Sequence, residues 1–316
     1  MLSHYDIFCK VVETGSFTRT AQLLGYSQSA VSQAVKALER ELGTTLVNRN
    51  KGGITPTADG ESYLPYIRAI SGAERTLDRK RQEMQGLENS TVRIGTFTTV
   101  SRNLLPQLMQ RFKALHPGVQ FILQQGDYTS INQWAQEGNI DFGFTNRQTA
   151  ADLVAQTLYQ DEMVAVLPLG HHLENCPQVT LNQLAAEPFI LLDEGEDSVP
   201  LNAFSHQGLS PQIEYKVYDD YSILAMVRQG LGVSVLYRLV LTGFGEGVAV
   251  RPIREAPKRT VALVWRSWET MPLAARRFAE FIIRHAPEVL MEFFPQKGAR
   301  NGTGTQKEEE HTPLLQ

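Results

Sequence analysis

The residues best placed to do chemistry cluster near the start of the chain. Ser29, Ser32, Gln33, Lys36 and Arg40 fall on one side of a helix at about 100° per residue. Each can donate a hydrogen bond and none is apolar. The opposite side carries Val31, Ala34, Val35, Leu38 and Leu42, a stripe that has to be buried. Hydroxyl and amide groups can read base edges in a groove, and lysine and arginine can neutralise phosphates. An ordinary solvated helix face has the same composition, so the flanking elements decide between the two.

Those elements are legible on both sides. Ile7, Phe8, Val11 and Val12 predict a first helix, ended by Gly15, with Ser16 capping a second that runs through Ala21 and Leu24. Gly25 makes the turn and Ser27 caps the third helix, which Gly43 closes. Two short helices joined by a tight glycine turn, the second with a polar face, form the geometry that enters a DNA major groove. Residues 44–49 and 53–57 then predict two short strands around Asn50, Lys51, Gly52 and Gly53, a wing with Arg49 and Lys51 at its edge for phosphates. A long helix capped by Thr57 follows, in which Tyr63, Ile70, Leu77 and Met84 recur every seven residues, with Tyr66, Ala73 and Leu87 between them. That row predicts a dimerisation seam. Lys80 interrupts its second line, and Pro65 predicts a bend.

Phe8, Val12, Gly15, Ser16, Phe17, Ala21, Leu24, Ser27, Gln28, Ala30, Val31, Ser32, Leu38, Glu39, Leu42, Gly43, Leu46, Arg49, Thr57 and Gly60 stand at a spacing that resembles the LysR-type transcriptional regulators. The resemblance covers nearly the whole chain. Thr20 stands where that family usually has a second alanine, Val47 where it favours phenylalanine, and Gln33 where arginine is common. The resemblance implies that Gln28, Ser29, Ser32 and Gln33 contact double-stranded DNA, beside Lys36, with Arg49 and Lys51 on the backbone. A glutamine amide pairs with adenine N6 and N7 whereas arginine prefers guanine, a discrimination of about 1–3 kcal/mol. A homotetramer built as a dimer of dimers is implied as well, with regulation of either sign.

Beyond the junction at residues 85–90 the pattern changes to alternating strands and helices. Strands are expected near residues 92–97, 119–123, 140–144, 163–167, 189–191, 213–217, 233–236, 248–250 and 260–264, with helices over 101–115, 131–137 and 273–284. The βαβ order predicts a parallel sheet. The expected fold is α/β, with an N-terminal all-α-type winged helix-turn-helix. By resemblance, the larger part is a two-lobe effector domain of the periplasmic-binding-protein type 2 fold. Its divisions are 1–60 for the winged domain, 61–89 for the linker and dimerisation helix, 90–297 for the effector domain and 298–316 for a disordered tail. The first lobe takes 90–161 and 266–297, the second 162–265.

Ligands in such sheets sit at the carboxyl ends of strands, where the lobes face one another. Thr98, Thr99 and Ser101 follow the first strand at a helix start and suit an anion such as a carboxylate, and Thr145, Ser198 and Tyr221 come from later strand ends. The acidic runs 193–197 and 219–220 would instead favour a cationic or amino-bearing ligand, or are solvated loops.

The composition fits this plan. The chain has 316 residues, 42% of them hydrophobic, enough for two domains. Its net charge is −4, yet residues 1–90 hold 11 Lys and Arg against 10 Asp and Glu, so the acidic surplus belongs to the rest. No run approaches the roughly 20 apolar residues of a membrane span and no leader pattern opens the chain, so a cytoplasmic protein without a membrane partner is expected. Two cysteines, Cys9 and Cys176, cannot build a disulfide framework. His171 and His172 near Cys176 lack a fourth ligand, and the glycines at 243–247 precede a strand instead of a helix, so no metal, cofactor or catalytic chemistry is assigned. A solute-binding protein would lack the first 90 residues, and an enzyme would need a convergent acid, base or nucleophile in the cleft.

Overall fold

The computed structural model describes residues 2–50, 53–83, 90–195 and 198–293. Lys51, Met84, residues 196–197 and the tail from 298 lie outside them.

The first three helices are α1 (His4–Thr14), α2 (Phe17–Leu24) and α3 (Gln28–Leu42), with Ser3, Ser16 and Ser27 accepting N-cap hydrogen bonds. Gly25, between α2 and α3, has φ 71°, a left-handed conformation that a side chain would strain. Phe8, Val11, Val31, Val35 and Leu38 are fully enclosed. The wing follows as β1 (Val47–Asn50) and β2 (Gly53–Pro56), paired antiparallel and tied to the α1–α2 turn by the Ile54 N–H on the Gly15 carbonyl at 2.8 Å. Glu39 of α3 accepts from the amides of Leu46 and Val47 at 2.9 and 3.4 Å, which fixes the wing to the third helix. Thr20 is buried with its hydroxyl 2.6 Å from that of Thr14, and Val47 is buried under the wing.

The long helix α4 (Ala58–Glu83) begins at Thr57, whose hydroxyl accepts from the Gly60 amide at 2.9 Å, and it continues through Pro65. Gly60 lies so near β1 that a Cβ would stand 2.1 Å from the Leu46 carbonyl oxygen. Tyr63, Ile70 and Leu77 are 38%, 43% and 71% exposed, a row of large apolar side chains that this chain leaves uncovered.

The effector domain runs β3 (Thr91–Thr96), a π-helical turn Val100–Leu104, α5 (Leu105–Leu115), β4 (Gln120–Gln125), α6 (Tyr128–Gln136), β5 (Phe142–Asn146) and β6 (Val154–Pro168). The second lobe continues with α7 (Leu181–Ala185), β7 (Pro188–Leu192), α8 (Val199–His206), β8 (Gln212–Val217), α9 (Asp220–Arg228), β9 (Ser234–Tyr237) and β10 (Val248–Pro252). Then β11 (Lys258–Trp265) and α10 (Leu273–Phe293) return to the first lobe. Each lobe has its own hydrophobic core.

Three expectations change. The sheet is mixed: β3 pairs parallel with β4 and β5, but β11 comes back antiparallel between β5 and β6. The strand expected at 163–167 is one end of a 15-residue β6, whose first half pairs with β11 and whose second half pairs with β9 and β10. Residues 258–265, expected in the second lobe, contribute Val261, Leu263, Val264 and Trp265 to the first core. The polar alternation of Gln156, Tyr159 and Asp161 hides the strand, because one stretch is half exposed and the next is buried on both faces.

The close approach at Gly60 gives a direct expectation. Gly60→Ala forces α4 away from the wing, and overpacking of this kind costs about 1–3 kcal/mol. The first calorimetric transition of the full chain should fall by several degrees; an unchanged transition would show that the contact is slack.

Candidate functional site: a polar helix face and a cleft between lobes

The outer side of α3 carries Gln28, Ser29, Gln33, Lys36 and Arg40 exposed and Ser32 half-buried. The side chains of Gln28, Ser32, Gln33 and Lys36 make no hydrogen bond or ion pair among the described residues, so their donors are available. Ser29 is held 2.9 Å from the Ser27 hydroxyl, and Arg40 Nε donates to the Lys36 carbonyl at 3.3 Å. Beside the face, Gln33, Lys36, Arg40, Thr44 and Thr45 wall a concavity of about 570 Å³. Arg49, on the wing, rests its guanidinium 4.9 Å above the Phe17 ring, which steadies a cation at the domain surface. Lys51 lies outside the described residues.

The second site lies where the lobes meet. Phe97, Thr98, Thr99, Gly126, Asp127 and Tyr128 from the first lobe face Leu192, Asp193, Glu194, Tyr218 and Asp220 from the second, with Arg259 at the base. The space between them is about 40 Å³. Thr98 and Thr99 are therefore in the wall. Ser101, Thr145, Ser198 and Tyr221 are not. Ser101 donates to the Thr98 carbonyl and accepts from Gln125; Thr145 is fully buried against Thr149. Ser198 caps α8, and the Tyr221 ring meets that of Phe244 edge to face beside Arg102, whose guanidinium lies 4.0 and 3.8 Å from the two ring centres. The helix expected after the first strand opens at Thr98 itself, and Val100 to Leu104 wind as a π-helical turn within it before α5 continues from Leu105.

Sequence reasoning missed the base of the cleft. Arg259 is 3% exposed and donates to Asp161 at 2.9 Å and Tyr128 Oη at 3.1 Å, with its guanidinium 3.5 Å from the Tyr237 ring centre and 4.7 Å from that of Phe97. Glu194 accepts from Tyr237 Oη at 2.7 Å, Tyr128 Oη at 3.1 Å and the Val199 amide at 3.0 Å. Burial pushes the Asp161 and Glu194 carboxyls up; Arg259 pulls Asp161 back, and the Tyr237 hydroxyl, Arg259 and the Tyr128 hydroxyl pull Glu194 back. The signal was an arginine within a strand otherwise destined for the core, next to Thr260 and Val261.

Two other groups have bland roles. The His171 and His172 rings approach Glu187 at 3.5 and 3.3 Å. His171 Nδ1 accepts the Leu173 N–H, so the ring is held as the neutral tautomer with its Nε2 proton facing Glu187. Burial pushes the Cys9 thiol up to about 12, so it stays protonated and unreactive.

Asp220, in the same wall, is buried too. Burial pushes its carboxyl up to about 7, with Glu194, Asp219 and Asp161 adding to the shift and Arg259 opposing it. A carboxyl whose folded pKa exceeds its unfolded value favours the fold fully below about pH 4, and that contribution is lost as pH rises through 7. Asp220→Asn should therefore gain stability over the parent between pH 5 and 8, by on the order of a few kcal/mol at pH 8, in paired urea melts. A difference that does not grow with pH would remove Asp220 as the strained group.

Comparison with known proteins agrees with this geometry. Residues 2–61 match the family described as "Bacterial regulatory helix-turn-helix protein, lysR family", and residues 85–287 match the "LysR substrate binding domain". The uncharacterized HTH-type transcriptional regulator YvbU of Bacillus subtilis is 31% identical over 88% of this chain and 96% of its own length. Full-length CbnR complexed with its target DNA superposes with a TM-score of 0.62 at 24% identity, over 90% of this chain and 98% of that one. The effector binding domain of QuiR in complex with shikimate gives 0.58 at 20% identity, over 63% of this chain and 98% of that domain. A helix-turn-helix with its wing, joined by one long helix to a two-lobe domain, thus has its counterpart over about nine-tenths of the chain, and the protein belongs to the LysR family of transcriptional regulators.

Proposed function

We propose that this regulator reads duplex DNA with the outer face of α3 and answers to a small molecule held between its lobes. Gln28, Ser29, Ser32 and Gln33 face the major groove, Lys36 lies beside them, and Arg49 and Lys51 of the wing meet phosphates. The observation that carries this reading is the set of uncommitted donors on α3, opposite a stripe buried to the last atom at Val31, Val35 and Leu38. The complex named for CbnR is with DNA and the one named for QuiR is with shikimate, which supports the same two partners here. Thr98 and Thr99 belong to the effector wall, whereas Ser101, Thr145, Ser198 and Tyr221 act through packing and caps. The protein works as a dimer of dimers in the cytoplasm, where its DNA is, and the exposed Tyr63, Ile70 and Leu77 form the seam between α4 helices, with Met84 next in the same row. Effector binding shifts the balance between two assembly states through its different affinity for each.

Selection of half-sites from a random DNA pool tests the reading of bases. The parent should prefer adenine opposite position 33, and Gln33→Arg should move that preference to guanine by about 1–3 kcal/mol, or roughly 5- to 150-fold. An unchanged half-site would remove Gln33 from the readout. Alanine at Ser32 and Gln33 together should abolish the shift of the operator fragment in a gel while the melting curve stays as it was; retained affinity would sink the DNA-reading face. For assembly, Ile70→Glu with Leu77→Glu should lower the sedimentation coefficient to that of a smaller species, and an unaltered coefficient would place the interface elsewhere.

A further inference from the structure

The cleft base holds more negative than positive charge. Asp161, Glu194, Asp220 and Arg259 are 0%, 7%, 6% and 3% exposed, three carboxyl groups to one guanidinium. Asp161 is paired with Arg259, and Glu194 is held by three hydrogen-bond donors. Asp220 differs: its Oδ1 is buried without a hydrogen-bond partner among the described residues, and Asp220 lines the cleft. The charged and titratable groups around it are Arg259 on β11, Asp161 on β6, Glu194 after β7 and its neighbour Asp219. Asp127 at the start of α6 lines the same space, as does Asp193, which is paired with Lys216 at 3.1 Å. Arg259 is the one cation among the lining residues, and its Nη atoms are already committed.

We propose that the effector of this protein is a small molecule carrying a primary ammonium group, and that the ammonium seats on Asp220. This rests on the effector reading above and names the chemistry of that ligand. An ammonium offers three donors and a positive charge, which matches an unpartnered carboxylate oxygen in a wall of carboxylates. A carboxylate group in the same place would face Asp220, Glu194 and Asp127 with Arg259 alone to receive it. The 40 Å³ space has room for about three waters, which fits a head group and requires the rest of the ligand to run outward past Thr98, Asp127 and Tyr218 or to hold the lobes further apart. Arg259 Nε is the second buried polar atom of the cleft without a partner, a place for a carboxylate on the same ligand if the effector is an amino acid.

Thermal melting and titration calorimetry of the full chain at pH 8 test the proposal. The probes are putrescine and cadaverine as diamines, L-lysine and L-alanine as amino acids, and succinate and shikimate as anions without an amine. At least one amine should raise the melting temperature by several degrees. Asp220→Asn should weaken its binding tenfold or more. Asp127→Asn, which keeps the cap on Ser130 while removing a charge, should weaken it severalfold. Diamines binding as well as amino acids would leave Arg259 Nε out of the site; amino acids alone would put their carboxylate there. The proposal is overturned if no amine binds, if amines bind the two variants as well as the parent, or if succinate or shikimate binds in their place. It is also overturned if raising the pH from 6 to 8 reproduces the ligand's effect on the operator footprint, since the proton would then be the signal. An amine that binds through Asp220 yet leaves the footprint unchanged keeps the ammonium site and sinks the effector reading instead.

Discussion

One buried guanidinium sets the terms for the effector domain. Taking Arg259 out of water costs several kcal/mol even after relaxation, and the fold meets that cost from both lobes at once. Phe97 and Tyr128 come from the first lobe and Tyr237 from the second, while Asp161 lies on β6 where that strand passes from one sheet to the other. Arg259 stands directly opposite Asp161 in the β11–β6 register. The ion pair is thus located at the crossing strands, the part of the domain that must flex when the lobes close. Any change of lobe angle alters the distances from this cation to Tyr237 and to the Glu194 it reaches through Tyr128. The cleft cannot change shape without changing its own electrostatics.

The same lobe touches the DNA-binding half of the molecule through α6. Tyr128, at its start, bonds Arg259 and Glu194 in the cleft. Just past its end, Glu137 pairs with Arg68 at 3.0 Å and Asn139 accepts from Arg75 at 2.7 Å, both on α4. Arg75 also reaches Asp6 on α1 at 2.6 Å, and Ser71 donates to the same carboxylate at 2.5 Å. Gly72 permits this: a Cβ there would stand 2.1 Å from the Glu137 carbonyl oxygen. A helix of nine residues spans about 13 Å, so α6 is a short rigid strut with its first residue in the effector wall and its far end against the linker helix. Displacement of Tyr128 by a ligand is carried to α4 and α1 as a rigid-body shift, provided that α4 has two packings of similar energy.

How much of this the sequence disclosed follows from how local each feature is. The winged domain was readable because its rules act within a few residues: serine caps at 16 and 27, glycine turns at 15, 25 and 43, and a 3.6-residue stripe through Val31, Val35 and Leu38. Even Gly60, marked only by resemblance, has a plain local reason in the Leu46 carbonyl it abuts. The cleft was not readable because its parts come from seven separated segments. Thr98 and Thr99 were found from a strand-to-helix junction, whereas Ser198 and Tyr221 sit at similar junctions and were spent on capping and an edge-to-face ring contact. Asp161 reads as a surface charge on a half-exposed strand and Arg259 as a lone arginine in a buried one, and their pairing is invisible until β6 and β11 are placed side by side. The antiparallel return of β11 was hidden for the same reason, being a property of the chain's route between lobes.

Charge links the two ends of the molecule in a final way. Residues 1–90 are nearly neutral, with 11 basic against 10 acidic side chains, so no broad positive field draws the winged domain to DNA. Among the described residues, Lys36 and Arg40 are cations on the outer side of α3 and Arg49 stands on the wing, and a head with so few cations gains little affinity from phosphates at physiological salt. In the proposed dimer, joining two heads through α4 would make the second contact intramolecular and restore affinity without adding charge. Specificity would then depend on the separation of the two α3 helices, which α4 would set. A neutral reading domain is therefore what a ligand-controlled regulator requires: strong electrostatic binding would hold the heads on DNA whatever their spacing, and the cleft would have nothing to control.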